Sequence, residues 1–124
     1  MRNISIYISF FLAIIYLFFC SCSGHPSANS ALVEADSLME SRPDSALSVL
    51  ESVDAGMLET EEQRAYYALL LTQAKYRNYV SLADDTLIDS AVDYYETADN
   101  RIMAAKSYYY KGVTIILCAI LHFF

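Results

Sequence analysis

The stretch Thr60 to Tyr79, TEEQRAYYALLLTQAKYRNY, constrains this chain more than any other. Thr60 with Gln63 three residues on has the form of a capping box, in which side chains and backbone satisfy each other's hydrogen bonds at a helix start. Glu61 and Glu62 add negative charge where the first turn exposes its N–H groups. Beyond that start, Tyr66, Tyr67, Leu69, Leu70, Leu71 and Ala74 cover far more than one stripe of helix surface. A helix apolar on two sides has to be covered on two sides, so the sequence predicts a central helix with packed neighbours before and after it.

Those neighbours are visible as periodic patterns. From Ser30 onward Ala31, Leu32, Ala35, Leu38 and Met39 recur at helical spacing, with Glu34, Asp36 and Ser37 on the other side. Arg42-Pro43 ends that helix, because the residue before proline is pushed out of the helical region, and Pro43 suits the first turn of the next. Ala46, Leu47, Val49, Leu50 and Val53 form the apolar side of this second helix, which fades at Asp54-Ala55-Gly56. After the central helix, Ser81 to Asp85 makes a break, with Asp84-Asp85 placed to cap the helix that follows. That helix turns Leu87, Ala91, Tyr94, Tyr95 and Ala98 inward, and a last one carries Ile102, Ala105, Tyr108, Tyr109 and Gly112 at the spacing for burial.

The N-terminus is of another kind. Met1-Arg2-Asn3 is followed by an almost unbroken apolar run, Ile4 to Phe19, and then by Cys20-Ser21-Cys22 and a small, polar stretch. This has the form of an export leader over residues 1–22, with residues 23–29 as a flexible stalk. Two outcomes compete. Cys22, with Ser21 before it, resembles the lipidated cysteine of a bacterial lipoprotein. A run of ~16 residues at ~1.5 Å each also comes close to the ~30 Å core of a bilayer, so the leader alternatively stays as an anchor. Either way the chain is expected to be exported and membrane-anchored. The absence of an acidic run directly after Cys22 points to a periplasm-facing position.

Within residues 30–112 the chain repeats itself. Ser45-Ala46-Leu47-Ser48-Val49-Leu50-Glu51-Ser52-Val53 aligns with Ser90-Ala91-Val92-Asp93-Tyr94-Tyr95-Glu96-Thr97-Ala98, setting Ala46, Leu50 and Val53 against Ala91, Tyr95 and Ala98. A second correspondence sets Tyr67, Leu70, Leu71 and Ala74 against Tyr108, Lys111, Gly112 and Ile115. Small residues let helices approach and the large ones fill what is left. This alternation resembles the tetratricopeptide repeat, and ADSLMESRPDSALSVLESV, RAYYALLLTQAKYRNYVSLADDTLIDSAVDYYE and KSYYYKG resemble a group of Bacteroidota tetratricopeptide lipoproteins. The resemblance implies an all-α fold: antiparallel helical hairpins stacked as a short solenoid after an apolar leader helix. Its packing residues would be Ala46, Leu50, Tyr67, Leu71, Ala91, Tyr95, Ala98 and Gly112. Many members of the group continue into a membrane helix and a helix-turn-helix segment.

Residues 113–124, VTIILCAILHFF, depart from the pattern. A premature end, a tail packed on the first hairpins and a membrane-inserted tail all fit the sequence.

Little here suggests catalysis. His25 and His122 have no second ligand at metal spacing, Cys118 is most simply a buried thiol, and three glycines leave scant material for a phosphate loop. Without the leader's Arg2, seven basic side chains face fifteen acidic ones, which argues against nucleic acid as a partner. The unusual feature is eleven tyrosines. Most suit packing between helices, while Tyr66, Tyr76 and Tyr110 fall off the main packing positions and are the expected contacts to a partner in the concave groove. The expected function is a non-catalytic, membrane-tethered scaffold that holds a protein or peptide in the bacterial envelope, without cofactor or metal. A remnant of an envelope signalling or transcription-regulating protein, or a glycan-uptake accessory lipoprotein, are the alternatives.

Overall fold

A computed structural model describes residues 2–19, 27–83 and 85–124. Cys22, the candidate lipidation site, and Asp84 lie outside them. The described residues are all-α: helices α1 (Arg2–Phe19), α2 (Ala28–Leu38), α3 (Pro43–Glu51), α4 (Glu61–Arg77), α5 (Leu87–Thr97) and α6 (Arg101–Phe123), with a 3-10 turn at Ala55–Met57 and no strand. Among the described residues no helix is long and apolar enough to cross a membrane.

Local chemistry sets most of the boundaries. The Ser27 hydroxyl accepts from the Ser30 N–H at the start of α2. Arg42 lies outside the helical region, at φ −142° and ψ 68°, and Pro43 occupies the first turn of α3, as the proline predicts. The capping box at α4 is complete: Thr60 Oγ1 accepts from the Gln63 N–H at 3.1 Å and Gln63 Oε1 accepts from the Thr60 N–H at 3.3 Å. At the other end of α4, Tyr79 adopts a left-handed φ of 57°. The Val80 N–H then reaches back to the Lys75 carbonyl and the Tyr79 N–H to that of Tyr76, a Schellman closure without its usual glycine. The Asp85 carboxylate accepts from the Leu87 N–H at 3.0 Å, one residue ahead of the N-cap Thr86, whose own side chain makes no capping bond.

Helix α4 is central, as its two-sided sequence demands. It packs against α2 and α3 on one flank and α5 and α6 on the other, while α2 also packs on α3 and α5 on α6. Its residues Ala68 to Ala74 form an uninterrupted buried run. Two apolar clusters result. Leu32, Ala35, Met39, Ala46, Leu50, Leu70 and Leu71 fill the first; Ala65, Ala68, Leu69, Ile88, Ala91, Tyr95 and Tyr110 fill the second. Leu32, Leu50, Leu69 and Leu70 are wholly buried, each stabilising the fold by roughly 1.5–3 kcal/mol. The links contribute too, through Leu58 and Leu82, which no helical period marks.

The expected packing residues divide. Ala46 and Leu50 are buried in the first cluster, and Ala91 and Tyr95 stand equivalently in the second; Leu71 is buried and Tyr67 half-buried against the first. Ala98 is exposed instead, because α5 ends at Thr97 and Asp99, at φ 51°, turns the chain away. Gly112 makes no close helix approach, since an added Cβ would meet nothing within 4 Å. The whole phase of α6 differs from expectation: Ile102, Tyr108 and Tyr109 are exposed, while Ser107, Tyr110 and Thr114 are buried. The more apolar face of α6 points outward. Its inner face can bury two hydroxyls because Ser107 donates to the Met103 carbonyl and Thr114 to that of Tyr110, so neither lacks a partner. Residues 113–123 continue α6 without a break at Gly112, beside Tyr79 to Leu82 of the link into α5 and Ile88 and Asp89 of α5 itself.

Candidate functional site

The first turns of α4 and α6 and the start of α2 meet around a polar cleft of about 520 Å³, lined by Asn29, Thr60, Glu62, Gln63, Tyr66, Tyr95, Asn100 and Met103. Helix capping places several of these groups. Thr60 and Gln63 are locked together by the capping box, and Asn100 caps α6 by accepting from the Met103 N–H at 3.2 Å. The packing of α5 on α4 then brings Tyr66 and Tyr95 to the same wall.

Tyr66, one of the three expected contact residues, lies in this cleft, but its hydroxyl is engaged. It donates to Asp36 Oδ2 at 2.7 Å, joining α4 to α2. Burial and then the Asp36 carboxylate push the phenol well above its ordinary pKa. Tyr95 is pushed up to about 12, first by burial and then by the Glu62 and Tyr94 charges. The wall is thus acidic and protonated at its phenols, suited to hydrogen bonding rather than to nucleophilic attack.

The other two tyrosines are elsewhere. Tyr76, ten residues beyond Tyr66 and so ~15 Å along α4, meets Tyr110 edge-to-face with ring centroids 6.1 Å apart. Tyr110 is only 8 % exposed, sandwiched between Tyr76 and Tyr109, whose ring lies 5.0 Å away. Tyr110 is therefore a packing residue and offers no open face, because the inward phase of α6 turns it onto α4. Tyr76, at 38 % exposure, remains accessible. The three rings do not form one surface.

Gln73, which lines neither of these surfaces, is the one buried polar side chain of α4 left incompletely paired among the described residues. It is 4 % exposed on α4, and its Oε1 accepts from no protein donor. Its signal in the sequence is a lone amide inside the run ALLLTQA, where every neighbour is apolar or a hydroxyl that bonds its own helix. Near the C-terminal end of α4, Arg77 pairs with Glu40 at 3.1 Å and Asn78 Nδ2 donates to the Pro43 carbonyl at 2.8 Å, tying α4 to the α2–α3 turn.

A second cleft of about 560 Å³ lies between α6 and the start of α5, lined by Asp85, Ile88, Asp89, Lys111, Ile115, Cys118 and His122 among others. Its acids are paired. Lys75 bonds Asp85 at 2.8 Å and Lys111 meets Asp89 at 3.2 Å. Burial would raise the Asp85 carboxyl, but the Lys75 hydrogen bond, the Leu87 N–H and the Lys75 charge outweigh it and hold the pKa below the ordinary value. Among the described residues no three His, Cys, Asp or Glu side chains cluster as metal ligands. No protein-family model, no curated protein and no solved structure matches the chain.

Proposed function

We propose that this chain is a membrane-tethered, non-catalytic interaction scaffold of the bacterial envelope, a short tetratricopeptide-like solenoid whose hairpins α2–α3 and α4–α5, followed by α6, hold a protein or peptide. One observation carries this reading: each of α2 to α5 packs against the next helix in the chain, and α2 and α4 also pack on α4 and α6 respectively. That is the neighbour pattern of stacked hairpins, in which the first helix of every unit lines a common groove. The cleft lined by α2, α4 and α6, with Tyr95 of α5 at its wall, is the opening we assign to this groove. With Thr60, Gln63, Asn100 and the Tyr66 hydroxyl engaged within the chain, the Glu62 carboxylate and the Asn29 amide are the groups left to meet an extended peptide with backbone N–H groups and basic side chains to offer. Equivalent burial of the Ala46/Leu50 and Ala91/Tyr95 pairs adds support. Export and tethering rest on the apolar leader with Cys22 at its end.

Capture from envelope extract by the full chain, compared with Glu62→Arg and Asn29→Arg, tests the groove, since both substitutions replace cleft-lining residues. A partner retained by the parent and lost by both variants is the expected result; equal recovery by all three would rule the groove out. Palmitate labelling that disappears in Cys22→Ala would establish the lipid tether.

A further inference from the structure

Helix α6 leaves a face uncovered along its whole length, and that face has a heptad rhythm. Ile102, Ala105, Tyr109, Gly112, Ile116 and Ala119 follow one another at alternating steps of three and four, large residues at one position and small at the other. Ile102 is 80 % exposed, Tyr109 58 % and Ile116 60 %, and the space off Gly112 is open. The intramolecular face of α6, with Ser107, Tyr110 and Thr114, lies on the other side, so the stripe takes no part in this chain's own core.

We propose that this stripe is a homodimer interface in which two copies of α6 pack antiparallel about an axis between Tyr109 and Gly112. In that register Ile102 meets Ala119, Ala105 meets Ile116 and Tyr109 meets Gly112, and the twofold axis generates the same layers again. A bulky side chain faces a small one in every layer. The same stripe in parallel sets Tyr109 on Tyr109 and leaves a hole at Gly112, so the alternation is complementary only to its own reverse. Charge agrees: the charged residues of α6 are Arg101, Lys106 and Lys111, all basic, and the antiparallel register lays Lys106 beside the uncharged half of its partner. A lipid surface would need no small residue at every other layer. The helix has 23 residues, about 34 Å in length, and pairing along it buries an area on the order of 1,000 Å², the low end for specific association. The dimer is accordingly a reversible one. The stripe lies apart from the groove proposed to bind a partner, and neither inference needs the other.

Sedimentation equilibrium of the full chain in detergent micelles tests this directly. The parent should self-associate reversibly to a dimer, and Gly112→Leu should weaken it at least tenfold while helical circular dichroism stays unchanged. If Gly112→Leu loses helix, Ala119→Leu serves the same purpose. With Cys20, Cys22 and Cys118 changed to serine, oxidation of a mixture of Ala105→Cys and Ile116→Cys chains should give the mixed disulfide, whereas Ala105→Cys alone should not, its two sulfurs being ~16 Å apart along the axis. A monomeric parent, association untouched by both leucine variants, or efficient Ala105→Cys homodimers would each overturn the proposal.

Discussion

At the scale of single residues, strain and ionisation are the informative quantities. Tyr79 closes α4 in a left-handed conformation that costs an L-residue about 1–2 kcal/mol, and its side chain is 97 % exposed, so little packing offsets it. Tyr79→Gly should therefore stabilise the fold by about 1 kcal/mol, read as a higher denaturant midpoint at unchanged slope. The phenols set the response to alkali. Tyr66, Tyr67, Tyr95 and Tyr110 all hold their protons more tightly when folded, burial being the first cause in each. Their stabilising effect is complete below the ordinary value of 10.0 and is lost as pH rises from there through the folded value, about 12 for Tyr95. The folded chain binds more protons in that window, so stability falls with rising pH. The denaturant midpoint should therefore fall as pH rises above 10.0, and a midpoint that stays constant there would contradict this.

At the scale of helices, caps and small residues decide. Thr60→Ala removes the acceptor for the Gln63 N–H and should cost about 1 kcal/mol. The sharper comparison is between two alanines of α5 and its end. Ala91 is wholly buried against α4, so Ala91→Leu should destabilise by roughly 1–3 kcal/mol through overpacking. Ala98 is exposed beyond the last turn, and Ala98→Leu should change stability by less than about 0.5 kcal/mol. Thermal unfolding of the pair measures whether α5 packs only as far as Tyr95.

At the scale of the molecule, α4 makes one unit of two cores. Leu70 and Leu71 belong to the cluster with α2 and α3, Ala65 and Leu69 to that with α5 and α6, and all four stand on one 17-residue helix. Neither cluster keeps its wall if α4 melts. Leu50→Ala in the first and Ile88→Ala in the second should each lower a single, shared transition, by about 2–5 kcal/mol apiece. Two separable transitions in either variant would show that the halves are independent.

What the sequence by itself determined was local. Helix starts at Thr60 and Pro43, the two-sided character of α4 and the buried Ala46, Leu50, Ala91 and Tyr95 follow from capping chemistry, proline geometry and periodicity, all confined to a few neighbouring residues. Tertiary structure alone decided which face of α6 turns inward. Hydrophobicity favours the side with Ile102 and Tyr109, but α4 and α5 present a surface that Ser107, Tyr110 and Thr114 fit, and hydroxyls bonded to their own helix cost little to bury. The same choice turns Tyr110 onto α4, while the packing of α4 on α2 joins Tyr66 to Asp36 thirty residues away and the stacking of the helices brings Asn29 and Asn100 to one cleft. Contacts so distant in the chain leave no periodic trace, because they depend on how the helices are stacked and not on what each helix contains.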